Sequence, residues 1–379
     1  MSVLSGMSRL AEEGFARAAL QSGCHFSAGL AEARALMASG RPDEAENVLA
    51  TLAAPNARGE VTLALVRARN LFFALNRSAD AEAALRAGEE ALAARGLAGS
   101  PASLARTGKD AVRGFTGSGA PLVRTSADAP AARTLPASLG AMELHALRAR
   151  FAFAQGDPRA ALAMAAPVEA DPTAPDAARV RAAVAMAEAL AVCGRRDEAI
   201  AVARRWEPAC VRYLAGAQAL AHWLAGSLPE ATYEAERSYA AATDPQGWAV
   251  AALLLGHVWL SRGDTDAALR WFRESSVLLR ACDPVGMRPA ALAGIAQAAA
   301  QAGDAAHAAK AIAELDRLPH TSGRGVGEEL GLARAWAAYA LGDHTRAIAL
   351  ATAVLATAEA RGADGFAARA RTELARLAA

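Results

Sequence analysis

Lysine is almost missing from this chain. Of its 40 basic residues only Lys109 and Lys310 are lysine, so arginine carries nearly all the positive charge. Aromatic residues make up only 5%, which leaves small and aliphatic side chains to build the core. Neither sign of charge dominates, since the 40 basic residues face 39 acidic ones for a net charge of +1. That balance excludes a chain-wide basic footprint for nucleic acid or an anionic membrane. The four cysteines, Cys24, Cys193, Cys210 and Cys282, are widely separated and form no C-x-x-C pair, against a zinc site or a disulfide framework. Buried thiols in a reducing cytoplasm fit them better. The most apolar stretch, "WAVAALLLGHVWL", is too short to span a bilayer and contains His257. The opening "MSVLSGMSRLAEEGFARAAL" carries charges where a signal peptide needs an apolar segment. These absences predict a soluble, cytoplasmic protein.

What is abundant is alanine, within a hydrophobic content of 54% over 379 residues. Alanine is the best helix former and the easiest side chain to bury between close helices, so the expected class is all-α.

A short pattern recurs along the chain. It reads "SGRPDEAENVL", "LNRSADAEAAL", "QGDPRAALAMA", "CGRRDEAIAVA", "AGSLPEATYEA", "RGDTDAALRWF", "AGDAAHAAKAI" and "LGDHTRAIALA". Its anchors are Gly40, Asn76, Gly156, Gly194, Gly226, Gly263, Gly303 and Gly342. Five residues after each anchor stands an alanine: Ala45, Ala81, Ala161, Ala199, Ala231, Ala268, Ala308 and Ala347. Seven residues before each stands Ala33, Arg69, Ala149, Ala187, Ala219, Gly256, Ala296 or Ala335, small in every case but Arg69.

Each position has a physical reason. Gly or Asn suits the left-handed residue that ends one helix. Asp157, Asp264, Asp304 and Asp343 directly follow their anchors, where a carboxylate caps the next helix and complements its dipole. The two small residues, one per helix, let a helical hairpin close tightly. Apart from one interval, the anchors are spaced 32 to 40 residues apart, room for two helices each.

This register resembles the tetratricopeptide (TPR) repeat family, over roughly residues 24 to 361. The family's aromatic positions are mostly Ala or Leu here. The long Ala- and Arg-rich repeats ending in "EARGADGFAARARTELARLAA" also look like the helical-repeat sensor region of large ATP-binding LuxR-type bacterial regulators. The resemblance implies a right-handed superhelical solenoid of about eight to nine helical hairpins. Its implied organisation is N-terminal repeats over 1–95, C-terminal repeats over 141–361 and a capping helix over 362–379.

Between these repeats, residues 96–140 are rich in Gly, Ser and Pro and carry Arg106, Lys109, Arg113, Arg124 and Arg133 against Asp110 and Asp128. They read as a basic insertion or linker, with "RTGKDAV" a candidate decayed repeat. The anchors on either side, Asn76 and Gly156, stand 80 residues apart, two repeat lengths.

Catalytic signatures are scarce. "TGKD" at Thr107 to Asp110 lacks the rest of a phosphate loop, and "GSGAP" at Gly117 follows no strand pattern. No H-E-x-x-H or G-x-S-x-G occurs. "LPHTSGRGVG" reads as a connector. His222 and His257 sit on Ala/Leu-rich helices beside Trp223 and Trp259, as packed or groove-lining histidines rather than ligands. A non-enzymatic chain without metal or cofactor is the expectation.

In the resembled family the concave groove is lined by positions six and three residues before the anchor. Carried onto this chain, the groove candidates are Arg34 with Met37, Asn70 with Phe73, Arg150 with Phe153, Glu188, Trp223, His257, Gln297, and Trp336 with Tyr339. Arg34, Asn70 and Arg150 would grip backbone or carboxylate groups of a peptide, with Phe73, Phe153 and Trp223 as apolar pockets. The family's carboxylate clamp places a Lys four residues before such an Asn, and here that residue is Val66. The resemblance implies a protein- or peptide-binding scaffold in bacterial signalling or regulation, with no direct nucleic-acid or membrane partner. Self-association through a solenoid end is open to it. The alternative is the ligand-sensing region of a transcription regulator, without its own NTPase or DNA-binding domain here.

Overall fold

The computed structural model describes residues 25–94, 137–281, 283, 286–318 and 327–379. Most of the expected insertion at 96–140, including Lys109, lies outside the described residues, as does 319–326 of the "LPHTSGRGVG" connector.

Among the described residues the chain is helical, without strands. Seventeen α-helices form eight consecutive hairpins and one final helix. The hairpins are α1 (His25–Ala38) with α2 (Pro42–Thr51), α3 (Ala57–Arg69) with α4 (Ser78–Ala94), α5 (Ala137–Ala154) with α6 (Pro158–Ala170), and α7 (Asp176–Val192) with α8 (Arg196–Trp206). They continue as α9 (Val211–Leu224) with α10 (Leu228–Ala241), α11 (Pro245–Ser261) with α12 (Thr265–Ala281), α13 (Arg288–Gln301) with α14 (Ala305–Arg317), and α15 (Gly327–Ala340) with α16 (His344–Arg361). The last helix is α17 (Asp364–Ala378).

The recurring pattern marks the bend of every hairpin. All eight anchors are left-handed, with φ between +55° at Asn76 and +84° at Gly263. All eight alanines that follow them are completely buried, as are the six alanines that precede them by seven residues. The four aspartates each accept a backbone N–H three residues on, from Ala160, Ala267, His307 and Arg346, at 2.8 to 3.1 Å. Gly256 is the small residue of the sixth hairpin for a visible reason. A Cβ there would stand 2.6 Å from the buried Phe272 ring, and one at Gly294 of the next hairpin would stand 2.4 Å away.

Repeats stack in one direction. From α3 onward, each first helix packs on the first helix of the next hairpin and on the second helix of the previous one, while second helices make no comparable contact with each other. The second helices therefore splay outward and the first helices line the concave side. Across the interval from Asn76 to Gly156, the described helices α4 and α5 pack on each other. Gly88 of α4 approaches Leu144 of α5, and Arg148 of α5 donates to both Glu82 and Glu89 of α4. Among the described residues, the second and third hairpins pack directly on each other.

Candidate functional site: a half-filled concave groove

Burial changes along the concave side. In α1 only Ala28, Gly29, Leu30 and Ala33 are buried, the narrow stripe of a helix covered on one side. In α13 every residue from Pro289 to Ala300 is buried, so that helix is covered all round. It packs on α12, α14 and α15, and α17, which runs across the first helices of the later repeats, reaches it through Arg369 and Arg376.

Contacts of α17 follow the groove in order. Gly365 lies so close to the Ala191 carbonyl of α7 that a Cβ would come within 2.8 Å of it. Phe366 meets the Trp223 ring of α9 edge-on at 6.2 Å, and Arg369 lies 4.3 Å over the same ring. Arg369 also donates to Gln297 of α13 at 3.4 Å. Glu373 accepts the Trp336 indole N–H of α15 at 2.9 Å, and Arg376 donates to Gln301 at 3.2 Å. His257 of α11 is stacked on Trp223 at 4.7 Å. Burial holds its pKa well below the ordinary histidine value, and the Arg369 charge adds to this.

Candidates Trp223, His257, Gln297 and Trp336 are thus buried at the groove face beneath α17. Tyr339 is partly buried at the end of that row, edge-on to Trp336 at 5.6 Å.

Among the described residues, the earlier repeats carry no such cover. Arg34, Met37, Val66, Arg69, Asn70, Ala74 and Gln246 line a cavity of about 310 Å³ between α1, α3 and the start of α11. Arg150 pairs with Glu188 and lies 5.9 Å over the Phe153 ring. Burial raises the Glu188 pKa while Arg150 opposes the shift. Phe153 itself joins the apolar cluster of Trp223 and Phe366, where the open and filled parts of the groove meet.

Comparison with solved structures finds helical-repeat proteins. A Rap protein crystallised with competence and sporulation factor matches with a TM-score of 0.55 at 13% identity, covering 93% of this chain and 98% of that one. The APC/C hetero-tetramer Cut9–Hcn1 gives 0.44 at 14% identity, over 94% and 74%, and yeast Tom70 gives 0.30 at 13%, over 97% and 96%. The chain has a TPR-like solenoid fold. No protein-family model and no curated protein matches its sequence.

Within the TPR-like groove, the second repeat departs from the register of the others. Helix α3 ends in a π-helical turn, Asn70–Ala74, which inserts one extra residue before the anchor. Ala68, completely buried, takes the place of the small residue, and Arg69 moves to the groove position held by Arg34 and Arg150 elsewhere. Asn70 is buried, with its side-chain amide donating to the Pro42 carbonyl at 2.9 Å. The turn also stacks Phe72 on Phe151 at 4.0 Å, with Phe73 edge-on to both.

Arg69 is open to water inside the concavity yet surrounded by protein, and burial lowers its pKa. The charges of Arg150, Arg34 and Arg212 lower it further, whereas Tyr213 opposes them. Arg69, Arg181 and Arg212 were not among the groove residues expected from the sequence. The available signal was Arg69 itself, the single large residue in a column of small ones.

Among the described residues, no group of three or more His, Cys, Asp or Glu side chains is placed to hold a metal ion. No described helix is long and apolar enough to cross a membrane.

Proposed function

We propose that this chain is a non-enzymatic scaffold that takes a protein or peptide segment in the open part of its concave groove. Its setting would be a bacterial signalling or regulatory system in the cytoplasm. The observation that carries the reading is the contrast between α17 and the earlier repeats. The chain lays its own amphipathic helix on the groove face of the later repeats, where Trp223, Gln297 and Trp336 receive it. The same column of positions in α1 and α3 presents Arg34 and Arg69 to an open cavity, and in α5 it holds Arg150, paired with Glu188. A helix-in-groove contact is a common way for helical surfaces to take a peptide. The structural neighbour complexed with competence and sporulation factor supports a binding role for this architecture.

Selection from a displayed random-peptide library tests the proposal. Binding of enriched peptides should be lost in Met37→Glu, at the cavity wall, and kept in Tyr233→Ala, on the exposed convex helix α10. Enriched peptides that bind both variants alike would place the site elsewhere.

A further inference from the structure

We propose that the open half of the groove recognises an acidic peptide segment through Arg34, Arg69, Arg150, Arg181 and Arg212. The inference rests on the scaffold reading above and specifies the ligand's chemistry.

These arginines come from five successive first helices, α1, α3, α5, α7 and α9, and they lie close enough to perturb one another. Arg69 feels Arg34, Arg150 and Arg212, and Arg181 feels Arg69 and Arg150. Three carboxylates stand among them. Glu188 pairs with Arg150, Asp244 pairs with Arg212, and Glu143 acts on Arg181. Arg34, Arg69 and Arg181 form no ion pair among the described residues, and Nη1 of Arg181 is buried without a hydrogen-bond partner.

Several arginines that join repeats elsewhere are neutralised. Arg67 pairs with Glu46, Arg148 with Glu82 and Glu89, Arg205 with Glu169, and Arg288 with Glu314. Within the groove cluster Arg150 and Arg212 are paired in the same way, whereas Arg34, Arg69 and Arg181 form no ion pair among the described residues. Like charges gathered in a concavity, where water screens them less than on an open surface, raise the energy of the empty site. An anionic ligand removes that cost and gains charge-assisted, bidentate hydrogen bonds from planar guanidinium groups.

A peptide suits the site better than a polyphosphate chain does. Glu143, Glu188 and Asp244 would repel a continuous row of phosphates. Met37, Val66, Ala38 and Ala74 give the cavity apolar walls suited to aliphatic side chains between acidic ones. The cavity's 310 Å³ matches a few side chains rather than a duplex.

Fluorescence anisotropy on the full chain tests the proposal with three sets of labelled nonapeptides: Asp/Glu-containing, their Asn/Gln isosteres, and Lys-containing. A short single-stranded oligonucleotide forms a fourth arm. The acidic set should bind about tenfold more tightly than its isosteres, the order of one charge-assisted hydrogen bond. Its affinity should fall steeply between about 50 and 500 mM salt. Arg34→Gln and Arg69→Gln should each weaken the acidic set about tenfold and leave the isosteres unchanged. The salt series uses wild type alone, so it holds even if a variant fails to fold.

Equal binding of acidic peptides and isosteres, insensitive to both variants, overturns the acidic assignment and leaves the scaffold reading standing. Tighter binding of the oligonucleotide than of any peptide overturns it in favour of nucleic acid. Absence of binding by every peptide set, together with no enrichment from the displayed library, overturns both readings.

Discussion

The Arg369 guanidinium lies 4.3 Å from the centre of the Trp223 ring, so the last helix rests on the groove face of the fifth hairpin. An arginine over an indole in a water-poor site contributes on the order of 1 to 2 kcal/mol, and Phe366 adds buried apolar area beside it. Together they make α17 part of the folded core rather than a loose tail.

Phe366→Ala should therefore destabilise the protein by about 3 kcal/mol, the usual cost of emptying a buried aromatic site. Denaturant unfolding measures the loss. Limited proteolysis of the variant should open first within α17, because Phe366 is its largest buried side chain on the groove face.

Packing around Phe272 gives a second outcome. Alanine at Gly256 or Gly294 places a Cβ within 2.6 or 2.4 Å of the ring, and the cost should be about 1 to 3 kcal/mol. Combining either change with Phe272→Leu should cost less than the sum of the single losses, because the smaller side chain frees the space. Thermal or urea unfolding of the double-mutant cycle reads this coupling.

The anchors make a separate prediction about backbone alone. At Gly263, with φ +84°, an added Cβ meets nothing within 4 Å. Gly263→Ala should still cost about 1 to 2 kcal/mol from left-handed strain. Gly263→Asn should cost less, as the natural Asn76 anchor implies. Equal losses for Ala and Asn would mean that backbone preference does not govern the bend.

Glu329 on α15 sets a pH dependence. Its carboxyl is buried near Arg369, and burial raises its pKa to about 7 against the pull of that arginine. The folded chain thus keeps a proton that the unfolded chain releases above about pH 4.5. This contribution to stability is complete below pH 4.5 and is lost as pH rises through about 7, on the order of 3 kcal/mol in all. Glu329→Gln should leave stability unchanged at pH 4 and raise it at pH 8. His257 works in the opposite sense: its folded pKa is depressed, so its share is complete above about pH 6.5 and falls on acidification. Urea unfolding of wild type and Glu329→Gln across pH 4 to 8 separates the two.

Much of the architecture was legible because it depends on local rules. A left-handed residue and two small residues per hairpin, with an aspartate cap in four of them, are all sequence-local, and outside the second hairpin each stands where the repeat register puts it. Two things were not legible. The π-helical turn after Arg69 is a one-residue insertion, invisible to a fixed offset from the anchor. It exchanges the surroundings of Asn70 and Arg69. The path of α17 was hidden for a different reason: "DGFAARARTELARLA" has the amphipathic pattern of any last helix. Its position across the groove depends on tertiary partners, Trp223, Gln297 and Trp336, up to about 150 residues away in sequence.

Hydrogen–deuterium exchange of the full chain, with and without a peptide selected from the displayed library, is the most direct test of the groove. Bound peptide should slow exchange in α1, α3 and α5, around Arg34, Arg69 and Arg150, and leave α13 and α15 beneath α17 unchanged. Protection confined to second helices such as α10 and α12 would contradict the concave site.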